Sequence, residues 1–232
     1  MTHARPDNET ERLAALARYR ILDTPQEQAF DDLAQLAAAY CEAPIAFVSL
    51  VDEHRQWFKA SLGLGFCETP RDMAFCSYAI LEPDLLVVHD TTADPRFADN
   101  PFVTGQDAIR FYAGVPLRTP DGHAIGVLAI MDRRPRTLTP SQVDAFRRLA
   151  RQAVGQLELH RVVAEQARQA EQLEALIAAV PLAIVKFTGD GIVLGWSPAA
   201  ERMFGWTAAE AIGQVLPNVP PEQRGTILSE TL

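Results

Sequence analysis

Apolar positions recur along this chain with two periods, and the changes of period mark out its elements. Leu13, Leu16 and Tyr19 fall at helical spacing and predict an opening helix. A second helix is predicted from the run Thr24, Pro25, Gln26, Glu27, in which Thr24 would cap, Pro25 would occupy the first turn and Glu27 would return the cap. Phe30, Leu33, Leu36 and Ala37 then carry its inward face as far as Cys41. Beyond Pro44 the pattern changes. Ile45 to Val51 is apolar at every position except Ser49, as expected of a strand covered on both faces. Asp52 to Arg55 turns the chain into a returning strand from Gln56 to Ser61. Trp57 and Phe58 fall on opposite faces of that strand; core packing is the default for either, and one of them is free to close a pocket or a dimer contact. Gly63 and Gly65 supply a loop, a short helix is predicted from Met73 to Leu81, and Leu86 to His89 reads as a further strand. Ile109 to Leu117 and Ala124 to Met131 bracket the turn residues Thr119, Pro120, Asp121 and Gly122, which predicts a hairpin.

A second capping box, Thr139 to Gln142, opens a helix predicted to run from Pro140 to about Val180. Val143, Phe146, Ala150, Ala153 and Leu157 step by three and four residues along it. Val163, Gln166, Ala170, Leu173, Ile177 and Val180 do the same, one residue out of phase. The first series predicts a face packed on the preceding domain, and the second a seam for a partner helix in a homodimer. After Pro181, two short strands flank Thr188 to Gly191; Ser197 and Pro198 start a helix that stops at Gly205, and Thr207 to Glu210 cap the next. The expected organisation is an N-terminal helix and cap over 1–24, a domain over 25–158, a helical connector over 159–180, and the beginning of a second domain over 181–232.

Composition narrows the partners. The chain has 232 residues, 48% hydrophobic content and a formal net charge of -9. Such a charge repels phosphate backbones and anionic lipid, so no nucleic-acid or membrane partner is expected. No stretch has signal-peptide or membrane-spanning length, which predicts a cytoplasmic protein. Cys41, Cys67 and Cys76 are odd in number and form no Cys-x-x-Cys pair, and the five histidines share no ligand spacing, so neither a disulfide framework nor a metal site is expected.

Several ordered segments carry a resemblance. DTPQE from Asp23 with Phe30 and Asp31, PIAFVSLVD from Pro44, RQWFK from Arg55, ETPR from Glu68, FCSYAI from Phe75 and AIGVLAIMD from Ala124 together resemble the bacterial GAF domains found at the front of sensor kinases and related regulators, over about residues 20–158. Residues 171–232 resemble the first part of a PAS domain, through LAIVKF from Leu182, the Gly189 to Gly191 turn and WSPAAERMFG from Trp196; Ser197 stands where that family usually has Asn. The resemblance implies an α+β fold: an antiparallel GAF sheet with helices on both faces, a long connector helix, then an incomplete PAS-type domain. It also implies a small-molecule cavity between the sheet and its covering short helices. Phe47, Ser49, Phe75, Cys76, Tyr78, Asp90, Arg110 and Tyr112 are its candidate residues.

The candidate chemistry is modest. Cys76 could meet a ligand or sense oxidants if its pKa were lowered, against the alternative of a small core hydrophobe. Arg110 could clamp a carboxylate or phosphate, or face solvent on an edge strand. No Cys follows Asp94 to Phe97, so a covalent bilin is not expected, and the cofactor is left open. The free-methionine-sulfoxide reductases of this family need a nucleophilic Cys near Ala93 to Gln106, and none is present. His160 lacks the following acidic residue and Pro of a kinase phosphoacceptor. No catalytic residue is therefore assigned. The expectation is a sensory input region that binds a small ligand and signals through the connector to an output domain, by analogy a histidine kinase and less often a diguanylate cyclase. The alternatives are a ligand-free dimerisation scaffold and a thiol enzyme.

Overall fold

The computed structural model describes residues 5–106 and 108–215. The chain divides into two units, the first ending at Ala164 and the second beginning at Glu165. In the first, α1 (Glu9–Tyr19) and α2 (Gln28–Cys41) precede β1 (Ile45–Val51), β2 (Arg55–Leu62) and β3 (Glu68–Pro70). A single 3-10 turn (Arg71–Met73), α3 (Cys76–Ala79), β4 (Leu86–Val88) and α4 (Pro101–Thr104) follow. Then come β5 (Phe111–Arg118), β6 (Ala124–Asp132) and α5 (Pro140–Ala179), which begins in the first unit and continues into the second. The six strands form one antiparallel sheet in the order β3-β2-β1-β6-β5-β4. The fold is α+β.

Strand alternation divides the core in two. Ala46, Val48 and Leu50 face one side with Trp57, where α1, α2 and the first half of α5 close over them through Leu16, Phe30 and Phe146. Ile45, Phe47 and Val51 face the other side with Phe58, beneath α3, α4 and the loops around them. This double covering is why β1 is apolar almost throughout. Trp57 and Phe58 thus serve the two cores, one each.

Three local expectations are corrected. First, α2 starts at Gln28 with Glu27 as an extended N-cap that makes no side-chain cap bond. Thr24 and Glu27 turn instead to Lys59, a fully buried ammonium on β2. Its Nζ donates to Thr24 Oγ1 at 2.8 Å and Pro25 O at 2.6 Å, and lies 2.7 Å from Glu27. An ammonium removed from water needs those acceptors more than the helix needs its cap. Second, Leu36 is 54% exposed, because the buried face runs through Phe30, Ala34, Ala37 and Cys41, and Leu36 sits about 120° round the helix from Phe30. Third, the helix expected from Met73 to Leu81 breaks into the 3-10 turn and the short α3. Asn100 Nδ2 takes the Met73 carbonyl and Ser77 Oγ the Arg71 carbonyl, anchoring the segment to side chains in place of a continuous ladder.

The capping box at the start of α5 forms as expected. Thr139 N donates to Gln142 Oε1 at 2.9 Å and Gln142 N to Thr139 Oγ1 at 3.3 Å. Phe146, Ala150, Ala153 and Leu157 are the buried residues of this helix, while Leu159, Val163 and Leu173 are exposed.

In the second unit, β7 (Val185–Phe187) pairs with β8 (Val193–Trp196), and α6 (Pro198–Phe204) and α7 (Ala208–Ala211) follow. Gly191 takes φ +79° in the connecting turn, as that turn requires. Ser197 Oγ accepts from Ile184 N and Ala200 N, so the serine holds the strand start and caps α6 at once. The remainder of the expected second domain, residues 216–232, and residues 1–4 of the N-terminal element lie outside the described residues.

Candidate functional site

A cavity of about 30 Å³ lies on the α3 and α4 side of the sheet, room for one or two waters. Ile45, Phe47, Gln56, Phe58 and Met131 form its floor. Leu64, Phe66, Ala74, Phe75, Phe102 and Ile109 close it. The rings are in mutual contact: Phe47 meets Phe58 edge-on at 5.0 Å, Phe58 meets Phe66 at 5.8 Å, and Phe66 stacks on Phe102 at 5.8 Å. Thr69, on β3, shares the wall with Gln56, its partner across the strand pair.

Of the residues expected to bound the cavity, Phe47 and Phe75 line it. Ser49, Cys76 and Tyr112 form a buried polar cluster beside it, with Cys76 Sγ 3.3 Å from Tyr112 Oη and accepting from Ser49 Oγ at 3.5 Å. The Tyr112 ring lies over Gly114, where any side chain would collide with it. Tyr78 packs edge-on against Phe97 at 5.0 Å. Asp90 accepts from Thr92 N and Oγ1, which holds its carboxyl below the usual range. Arg110 Nη1 donates to Val103 O at 2.9 Å and Ile109 O at 3.0 Å, tying α4 to the start of β5. Both residues brace the cover. Gln56 and Thr69 were not anticipated; Gln56 was legible, since alternation puts it on the same face of β2 as Phe58, which of the pair Trp57 and Phe58 is the one that lines the cavity.

Burial pushes the Cys76 thiol up to about 11, with hydrogen bonds from Tyr112, Ser49 and Gln56 offsetting part of the effect. Burial, together with the neighbouring Cys76, raises the Tyr112 hydroxyl well above its ordinary value. Cys41 is likewise buried and raised to about 11. Only a thiolate is a good nucleophile, so one fast-reacting thiol is expected in the folded protein at pH 8, the exposed Cys67. Timed alkylation followed by peptide mass mapping checks this; early labelling of Cys76 would contradict the buried cluster. Among the described residues, no group of three or more His, Cys, Asp or Glu side chains could hold a metal ion.

A family model described as GAF domain matches residues 25–157, which include the whole six-stranded sheet and the helix face packed on it. The chain belongs to the GAF domain family. A second model, PAS fold, matches residues 171–230. The chain is 44% identical over 131 residues to cyclic di-GMP phosphodiesterase PA2567 of Pseudomonas aeruginosa, covering 56% of this chain and 22% of that protein. A 50-residue segment is 42% identical to sensor protein FixL of Bradyrhizobium diazoefficiens, covering 22% of this chain and 10% of that one. The matches thus span about a fifth and a tenth of these curated relatives. The solved GAF domain of an Acinetobacter phosphoenolpyruvate-protein phosphotransferase superposes with a TM-score of 0.49 at 16% identity, over 69% of this chain and 99% of that domain. The chain is a GAF and PAS sensory signalling module.

Within the GAF unit, α5 is fastened to the preceding elements at two points near its unit boundary. Tyr19 Oη donates to Glu158, and His160 Nδ1 lies 2.9 Å from Glu27 Oε1. Glu27 is the carboxylate that also meets Lys59. Burial would raise Glu27, but Lys59 and His160 outweigh it and hold the carboxyl below the ordinary value. The strand that floors the cavity and the helix that leaves the domain therefore share one carboxylate.

Proposed function

We propose that this chain is a sensory input region in which the GAF cavity takes a small molecule and α5 passes the outcome to the PAS domain and to an output domain. The observation that carries this reading is α5 itself. Its first half is packed on the GAF sheet, its second apolar series is exposed at Val163, Gln166, Ala170 and Leu173, and the two are out of phase by one residue. A ligand that changed how the first half seats would change which residues of the second half meet a partner. Leu159, Val163, Gln166, Ala170, Leu173, Ile177 and Val180 alternate steps of four and three, the spacing of a coiled-coil seam, which supports a homodimer along 159–180. For signalling, the ligand must favour one arrangement over the other, since equal affinity shifts nothing.

The small cavity supports a second reading, a ligand-free dimerisation scaffold. Native and denaturing mass spectra of the purified protein separate the two. Retained non-covalent mass on a dimer is expected under the first reading; a clean apo dimer, unchanged in every ligand screen, would favour the scaffold. The buried, raised Cys76 weighs against a thiol enzyme.

For the output, the phosphodiesterase match supports a cyclic di-GMP enzyme and the FixL match supports a sensor kinase. We favour the first, because its match covers 131 residues rather than 50. A cytoplasmic location fits the described residues, among which no helix is long and apolar enough to cross a membrane.

A further inference from the structure

Thr69 is the unfinished part of the cavity wall. The residue is 6% exposed, and its Oγ1 is shielded from solvent with no hydrogen-bond partner. A buried hydroxyl in that state calls for an occupant. Gln56, opposite it across the strand pair, is the other polar side chain in the wall; every other lining residue is apolar, and none is charged. Such a lining rejects nucleotides and other multiply charged molecules, whose ionic groups would be desolvated with nothing to pair them. It accepts a flat apolar body with one polar atom.

The free space is too small for a ring as it stands. Phe66 supplies the missing volume. Its ring stacks on Phe102 at an interplanar angle of 24° and tilts against Phe58, yet the residue is 37% exposed and lies on the loop between β2 and β3. A side chain so placed can swing into solvent without disturbing the sheet, leaving a slot bounded by two aromatic faces.

We propose that the cavity binds a small monocyclic aromatic molecule with a single hydroxyl, of the phenol class, whose ring takes the place held by Phe66 and whose oxygen pairs with Thr69 Oγ1. This rests on the reading of the GAF cavity as a ligand site. Phe66 is then an internal stopper that the ligand displaces, and Thr69 sets specificity: an isosteric ring without the hydroxyl leaves the threonine unpaired.

The test titrates phenol and toluene, near-isosteres, into the full 232-residue chain and three variants, Phe66→Ala, Thr69→Val and Thr69→Ser, following methyl resonances of Ile45 and Met131 on the cavity floor. Phe66→Ala is expected to bind both compounds several-fold more tightly, because the stopper is gone. The phenol-to-toluene affinity ratio is expected to fall about tenfold in Thr69→Val and to be retained in Thr69→Ser, which keeps the hydroxyl should the valine variant fold poorly. A ratio insensitive to Thr69, or affinities insensitive to Phe66, would overturn the proposal. If all four proteins ignore both compounds while native mass spectra show a retained polar or charged molecule, the ligand class fails and the sensory reading stands. If there is neither binding nor retained mass, the ligand class fails and weight moves to the ligand-free scaffold.

Discussion

If the chain signals through α5 to an output domain as proposed, deleting Val162 should change that output by about tenfold while leaving ligand binding by the GAF domain intact. One residue removed from a helix turns everything beyond it by about 100° and draws it back by about 1.5 Å. The deletion falls after Phe146, Ala150, Ala153 and Leu157, which pack on the sheet, and after Glu158 and His160, which fasten the helix to Tyr19 and Glu27. The cavity and its cover are untouched. What moves is the seam from Val163 onward, against a GAF face that stays where it was. Removing Val162 to Arg168 as a complete heptad should restore the original phase and much of the original output. Output assays and ligand titrations on the three proteins decide the matter. If deletion of Val162 abolished binding and output together, or if the heptad deletion behaved no better than the single one, a helix-phase signal would be untenable.

Replacing Glu9 by Gln should cost about 3 kcal/mol of stability at neutral pH. Glu9 bridges two buried guanidiniums. Arg12, 1% exposed, donates to both its oxygens and to Val51 O, and Arg71 Nη1 donates to Glu9 and to Asp52 O. Burial alone would raise the Glu9 pKa, but hydrogen bonds and charge from Arg12 and Arg71 prevail and lower it from 4.5 to about 2. The Glu9 side chain is only 15% exposed, so solvent screens the interaction little. The sign follows from the depressed folded value. The contribution is fully present above about pH 4.5 and is lost as pH falls towards 2. Denaturant melts at pH 7 and pH 2.5 check both parts, because the gap between wild type and Glu9→Gln should be wide at the first and narrow at the second. A gap of the same size at both would mean that the loss reflects packing rather than charge. Arg71 Nη2 is already buried without a hydrogen bond, so the cluster offers no spare acceptor for the charge that Glu9 now balances.

Much of the architecture was legible because it depends on short-range pattern. The continuous apolar run of β1 announced two covered faces, and the hairpin around Gly122 and the cap at Thr139 each need only neighbouring residues to form. The errors arose where a distant group competed. Thr24 and Glu27 have the spacing of a capping box, yet Lys59, more than thirty residues on, takes both.

Periodicity and turn chemistry along the sequence thus determined the order of elements and the phase change within α5, since each follows from a repeat of two or 3.6 residues or from a backbone preference at one position, while the α+β class came through the resemblance to GAF domains. Tertiary structure alone decided how much space the cavity retains, which thiol is reactive, and which carboxylates are spent on buried cations. Those properties are set by side chains that meet across the sheet from segments far apart in the chain, where burial and charge pairing outweigh local preference.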